Sequence, residues 1–385
     1  MNKKTAPEAT QRLRYFQQKQ DAIVQTIREL VEIESPSDNK AAVDQLAAFA
    51  ATKFEVLGGH VRFHLSKDFG DHLQADFPGT RPSKPILLLG HYDTVYPLGT
   101  LATMPCRIEK GRLWGPGVLD MKSGIALMLA AIGGLQAWHG ALPRPVSVLL
   151  VSDEEVGSSS RPITEALAKK SAAVFVCEPS YGLRGAVKTA RKGVGDYTLK
   201  VTGKAAHSGL DFEKGESAIL ELARQITAVS KLVDLKRGLT LNVGLVQGGT
   251  RINVVPAEAT ASLDVRVVRM QDAALIDRKL RALKPVNRKC KLKIEGGVNR
   301  PPMERTAGVA QLYDKAAQIA RELGWKLQEA AVGGGSDGNF TAALGIPTLD
   351  GLGGVGEGAH APHESIVIDE LPRRAALLAA LIERA

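Results

Sequence analysis

Three short apolar runs, Pro85 to Gly90, Val146 to Val151 (interrupted only by Ser147) and Ala173 to Val176, each break directly into polar residues, and this constrains the fold more than any other feature. Strands that are apolar at every position are buried on both faces, as in parallel sheets covered by helices. Helical spacing over Asp21 to Ile33, Lys40 to Leu57 and Ser123 to Leu135 supplies the covering layers, so this part reads as an α/β sheet flanked by helices. The middle of the chain reads differently. Gly195 to Val201, Thr240 to Gln247, Thr260 to Val268 and Cys290 to Ile294 alternate like half-buried strands, and Glu216 to Lys231 and Asp272 to Leu283 have helical spacing. That order is βαββαβ, a ferredoxin-like module that can fold alone. After Arg300 come long helices, a Gly-rich stretch and a last helix from Glu370. The simplest topology is one α/β domain, 1–184 and 300–385, with a second domain, 185–299, inserted into it; 385 residues suit two domains.

Charge is unevenly placed. Of the 50 Lys and Arg and 41 Asp and Glu, residues 185–299 hold 21 basic against 11 acidic, so the middle segment carries the whole positive excess. Its densest run, Arg278 to Lys293, has no interleaved aromatics of the kind that single-strand binders use, and it reads as a solvated face rather than a nucleic-acid surface. Cys106, Cys177 and Cys290 are far apart and odd in number, so no disulfide framework or cysteine zinc cluster is expected. The longest apolar stretches, Ile125 to Leu135 and Val146 to Val151, fall short of the roughly 18 to 20 residues of a membrane span. With charges and glutamines where a secretory leader needs an apolar core, the expectation is a cytoplasmic protein without membrane attachment.

The residues with chemical potential gather where strands end, the edge at which open α/β sheets bind their ligands. Pro85 to Gly90 runs into His91-Tyr92-Asp93. Alternate positions of extended chain share a face, so Asp93 could orient the His91 imidazole. Trp114 to Gly124 forms a turn that delivers Asp120 to a helix start, where a carboxylate could cap the helix or bridge two metals. Val146 to Val151 leads into Asp153-Glu154-Glu155, three consecutive acids whose repulsion a nearby cation would offset. Ala173 to Val176 ends in Cys177-Glu178, and His360 and His363 come late. His91, Asp120, Glu155, Glu178 and His360 together form an N/O donor set suited to borderline divalent metals, zinc above all.

At this point the sequence resembles a known family. The runs His91-x-Asp93, Gly117-x-x-Asp120-Met121-Lys122-x-Gly124, Asp153-Glu154-Glu155-x-Gly157, Glu178-Pro179, Gly203-x-x-x-His207-x-Gly209 and Gly-Gly-Gly-Ser336-Asp337-Gly-Asn, with the late His360, look like the aminoacylase and carboxypeptidase superfamily of dizinc amide hydrolases. The resemblance implies a zinc-peptidase-like catalytic domain and an inserted lid through which a homodimer forms. It implies two Zn2+ per subunit, with Co2+ or Mn2+ as substitutes. Asp120 would bridge them, His91 and Glu178 completing one site and Glu155 and His360 the other, with His363 as the alternative to His360. Glu154 would be the general base, with Asp93 supporting His91. His207 resembles the lid histidine that reaches across the dimer to the scissile carbonyl, and Asn253, Arg266 and Arg300 resemble residues that hold substrate.

The expected function is therefore hydrolysis of an amide bond to release a C-terminal amino acid, glutamate first, from a small peptide or N-acyl amino acid. The glutamate carboxypeptidase branch is favoured by Gly-Gly-Gly-Ser-Asp-Gly-Asn and Glu-Gly-Gly-Val-Asn-Arg-Pro. N-acyl amino acid deacylation, of the acetylornithine deacetylase or desuccinylase kind, is the alternative within the same reaction class. An inactive metal-binding protein and a basic nucleic-acid binder are the readings outside it; retention of Glu154 disfavours the first.

Overall fold

The computed structural model describes residues 5–385; residues 1–4, where the leader reading begins, lie outside the described residues. The chain divides into two compact units, one made of the described residues up to Ala190, Arg305–Ala331 and Ser336–Ala385, the other of Arg191–Glu304 and Val332–Gly335. Residues 185–190 fall in the first unit because Lys188 and Asp350 exchange backbone hydrogen bonds of 2.8 and 3.2 Å. The short segment 332–335 joins the second unit, with no sequence signal for it.

The first unit is an α/β sheet of six strands in the order His60–His64, His72–Phe77, Val146–Val151, Ile86–His91, Ala173–Val176, Thr348–Leu349. The last four are mutually parallel, and His60–His64 and His72–Phe77 extend the sheet antiparallel. Period-two alternation explains the continuous apolar runs. Ile86 and Leu88 enter the larger core with the helices Ser123–His139 and Leu371–Arg384, and Leu87 and Leu89 enter a second core with Leu149, Val151, Val174 and Ala168.

One expectation needs correcting. The segment Val118–His139 is 22 residues long and contains an 18-residue window of mean hydropathy 1.6, so it is long and apolar enough to cross a membrane. The polar residues of the Asp120 turn hide this when only the uninterrupted run from Ile125 is measured. Its most apolar window is 83% buried inside the molecule, as in a core helix apolar all round.

Because the four inner strands run the same way, their C-terminal ends lie along one edge. His91 stands opposite Val151, and Leu89 opposite Val176. The residues that follow those strands, 152–155 and 177–178, therefore emerge level with His91. A second, small antiparallel sheet of Gly356–Glu357, Ser365–Val367, Arg112–Trp114 and Arg107–Glu109 supports the segments that carry Asp120 and His360.

The second unit has a four-stranded antiparallel sheet in the order Thr240–Gly248, Glu258–Val267, Gly193–Thr202, Lys291–Arg300. The helices Ala218–Ser230 and Met270–Arg281 contribute Leu222, Val229, Ile276 and Leu280 to a core with Tyr197, Leu199, Leu263 and Val265. This is the βαββαβ order with the strand arrangement of a ferredoxin-like module.

A candidate metal centre

The turn before the helix Ser123–His139 owes its shape to glycine at two positions. Gly117 has φ +69°, and a Cβ there would lie 2.6 Å from the Thr94 methyl. A Cβ on Gly124 would lie 2.0 Å from the Cys177 carbonyl oxygen, so only glycine lets this helix start approach the Ala173–Val176 strand end. That approach brings the carboxylate of Asp120 to the strand edge.

There its two oxygens are divided between two imidazoles. His91 Nε2 is 3.1 Å from Oδ1, and His360 Nε2 is 3.4 Å from Oδ2. His360 Nε2 is also 3.0 Å from Glu155 Oε1, and His91 Nε2 is 3.5 Å from Glu178 Oε1. Potential ligand atoms of His91, Asp120 and Glu155 lie within 4.8 Å of one another, as do those of His91, Glu154 and Glu178. His360, with φ +62°, is the late histidine brought to Asp120 and Glu155. His363 has no contact with this cluster among those the structure records.

The charges are strongly coupled. Burial pushes the Asp120 carboxyl up, but the hydrogen bonds from His360 and His91 outweigh it and hold the group well below the usual carboxylate range. Glu155 is pushed up by burial, against the lowering effect of His360. The contacts from Asp120 and Glu155 push His360 up to about 10. Four carboxylates facing two imidazoles leave net negative charge in a half-enclosed site, which a divalent cation would offset. The donor chemistry also fits: all nitrogen and oxygen, one carboxylate presenting a separate oxygen on each side, and His91 Nδ1 held by the Asp93 carbonyl at 3.0 Å so that Nε2 faces the cluster.

Asp93 meets His91 through two oxygens. Its backbone carbonyl is 3.0 Å and its carboxylate 3.4 Å from His91 Nδ1. The carboxylate also accepts from Ser37 Oγ at 2.7 Å and from the backbone N–H groups of Glu154 and Glu155 at 3.3 and 3.2 Å. Amide donors satisfy a buried carboxylate well, so Asp93 organises the loop of acids while its backbone orients the imidazole.

Several neighbours had no role assigned from the sequence, although Lys122 and Ser336 lie in the quoted motifs. Glu364 is fully buried and accepts from the amides of Leu119 (2.7 Å), Asp120 (2.9 Å) and Gly117 (3.2 Å) and from the Tyr96 hydroxyl (2.6 Å). Burial pushes its carboxyl up to about 7. Lys122 donates to the Ile33 carbonyl at 2.8 Å, and burial pushes its amine down to about 7. Lys188 Nζ stands 3.9 Å from Glu178 Oε2. In the Gly-rich motif, Ser336 Oγ donates to Asp350 at 2.6 Å and its amide to Asn339 at 3.0 Å, which locks the start of the helix Gly338–Ala343.

The remaining candidates belong to the second unit and separate into two groups. His207 and Asn253 meet at one end of the sheet: His207 bridges Val254, Ser208 donates to the Asn253 carbonyl at 3.0 Å, and His207 Nδ1 accepts from Gly209 and Leu210 at 3.1 and 3.2 Å. Arg266 and Arg300 both pair with Val194, one on each side, at the other end. At about 3.3 Å per residue the eight residues from Glu258 to Arg266 separate the groups by about 26 Å along the strand. Both nitrogens of the Arg266 fork are held by Asp264, at 2.9 and 2.8 Å.

A mixed sheet whose parallel inner strands bring carboxylates and imidazoles together at their C-terminal edge, in a chain that also carries a separate ferredoxin-like unit, is the arrangement expected of a metallopeptidase fold. The model of peptidase family M20/M25/M40 matches residues 87–384, and the chain belongs to that family, whose members hydrolyse amide bonds. Carboxypeptidase G2 of Pseudomonas sp. (strain RS-16) is 31% identical over 370 residues, covering 94% of this chain and 89% of the relative. Among solved structures, aminopeptidase PepT from Bacillus cereus ATCC 10987 matches with a TM-score of 0.80 at 24% identity, over 94% of this chain and 98% of its own. A dinuclear metal-binding peptidase of the M20 family, YXEP of Bacillus subtilis, matches with a TM-score of 0.71 at 15% identity, over 95% and 98%.

Proposed function

We propose that the protein is a dinuclear metallocarboxypeptidase that releases a C-terminal amino acid, glutamate first, from a small peptide or N-acyl amino acid. The observation that carries this reading is the division of Asp120 between two imidazoles, each with a further carboxylate at hand. His91 and Glu178 would hold one ion, Glu155 and His360 the other, and Asp120 both. Two divalent cations, zinc above all, would supply a water acidified towards pKa 7 and polarisation of the scissile carbonyl.

The rest of the chemistry belongs to the chain's own side chains. Glu154, beside His91 and Glu178, takes a proton from the attacking water and delivers it to the leaving amine. Asp93, through the amides of Glu154 and Glu155, keeps that loop in place. Because His207 Nδ1 accepts from backbone amides, Nε2 carries the proton and can donate to the oxyanion, a contribution worth about 3 to 4 kcal/mol. Arg266 and Arg300, level with Val194 and on the same face of the sheet, can grip a carboxylate, Arg266 by exchanging Asp264 for substrate. The two groups are too far apart along one sheet to meet at one substrate, which supports a homodimer in which His207 and Asn253 act on the partner's site while the arginines act elsewhere.

A leaving-group screen of peptidyl and N-acyl amino acids, with added zinc, cobalt or manganese, tests this reading. Fastest release from peptidyl or aroyl glutamate is the expected result. Preference for acetylated or succinylated amines would assign the deacylase branch instead, and no hydrolysis with any ion would reject the proposal.

A further inference from the structure

Of the five segments that bring ligand candidates to the cluster, three are the exit of the Ile86–His91 strand, the turn that ends at Asp120, and the loop between Gly356–Glu357 and Ser365–Val367 that carries His360. Two side chains outside the donor set touch all three. Tyr96, five residues beyond His91, donates its hydroxyl to Glu364 at 2.6 Å and stands 3.1 Å from the Ala361 carbonyl, next to His360. Glu364 in turn gathers the amides of Gly117, Leu119 and Asp120. Strand pairing of Ser365 with Trp114 and of Ile366 with Leu113 brings the His360 and Asp120 segments side by side but ends before either ligand. Past that point the described contacts between these segments pass largely through Glu364.

We infer that the half-buried Tyr96 and the buried Glu364 form a clamp that fixes the Asp120 turn and the His360 loop relative to the His91 strand, so that the pair of ion sites is formed before any ion arrives. Both are positioning residues: neither belongs to the groups of candidate ligands. The clamp rests on the ion-binding reading above. A carboxylate that accepts three backbone amides fixes peptide planes rather than a side chain, and a single hydroxyl ties it to the third segment. Loosening it would leave the donors in place chemically but not geometrically, and partners of this kind change metal affinity by about 10- to 100-fold.

The test uses metal-stripped full-length protein and cobalt(II), with wild type, Tyr96→Phe and Glu364→Gln. Dissociation constants come from competition with a chelator, ligand geometry from the visible absorption of the cobalt, and fold integrity from Tm without metal. The expected result is a Tm of stripped Tyr96→Phe within a few degrees of wild type, cobalt binding about 10-fold weaker, and an altered spectrum; Glu364→Gln shows a larger loss. Unchanged affinity and spectrum in both variants, or a lowered Tm of the stripped protein with unchanged affinity, overturns the clamp. If Glu364→Gln does not fold, Tyr96→Phe decides alone, since it removes one hydroxyl and keeps the ring. Wild type that binds no cobalt overturns the ion-binding reading, and the clamp with it.

Discussion

The sheet of the first unit and the sheet of the second collect their functional candidates in opposite ways. In the first, parallel strands send every C-terminal end to one edge, and residues as distant in sequence as His91, Glu155 and Glu178 come within a few ångströms. In the second, antiparallel strands divide their ends between two edges, and His207 with Asn253 is separated from Arg266 with Arg300 by most of a strand length. The parallel inner strands gather one site, while the antiparallel sheet sets its candidates at two ends, a division that the proposed homodimer would put to use.

That contrast can be broken at its chemical centre first. Glu154→Gln should lower kcat by about 10³-fold, within the range for losing a general base, while elemental analysis finds the wild-type ion content; hydrolysis retained at more than a tenth of wild type would remove Glu154 from that role. His207→Ala should lower kcat by about 10²- to 10³-fold. Mixing it with Glu154→Gln subunits should then restore part of the activity, because one site in each heterodimer has both groups. An inert mixture with heterodimers demonstrated would mean that the two ends of the lid sheet do not serve different subunits.

At the other end, Arg266→Ala and Arg300→Ala should raise KM by about 10-fold or more, the cost of losing a charged hydrogen-bond partner, with kcat changed less. An effect on kcat alone would dissociate these arginines from binding.

The smallest effect concerns the second unit by itself. Glu221 is fully buried and accepts from the Val286 and Asn287 amides, both at 2.8 Å, and from Gln225 at 2.7 Å. Burial alone would push its carboxyl up, but the donors from Asn287, Gln225 and Val286 outweigh it, so the group lies below its usual value. A depressed carboxylate stabilises the fold above about pH 4.5, and that contribution is lost as pH falls through the folded-state value. Glu221→Gln should cost about 1 to 3 kcal/mol in urea unfolding at pH 7, with the difference from wild type closing as pH falls through the folded-state value. A difference independent of pH would show that packing, not charge, is responsible.

Much of this is legible without coordinates. The buried strands Val146–Val151 and Ala173–Val176 have the bounds that their apolar runs suggest, because a strand covered on both faces is apolar at almost every position; the exception, Ser147, donates to Asp76 at 2.7 Å. His91, Glu155 and Glu178 are suggested for the same reason, since polar groups directly after such strands emerge together, whereas the parts given to Asp120 and His360 rest on the family resemblance. What escapes is short or non-local. The strands Arg107–Glu109, Arg112–Trp114 and Ser365–Val367 have three residues each, too few for periodicity to register. Tyr96 and Glu364 lie 268 positions apart, so nothing local connects them. By spacing, Asp93 reads as a side-chain partner of His91, but pattern does not tell which oxygen of a residue faces an imidazole. The separation of Arg266 from His207 requires the strand register, which follows from pairing and not from composition.

The most direct test is calorimetric titration of metal-stripped protein with zinc, repeated on Asp120→Asn. Two equivalents bound per chain by wild type, and failure of the variant to retain two, would agree with a carboxylate shared between neighbouring sites. One equivalent or none in wild type, or two undiminished in the variant, would contradict it.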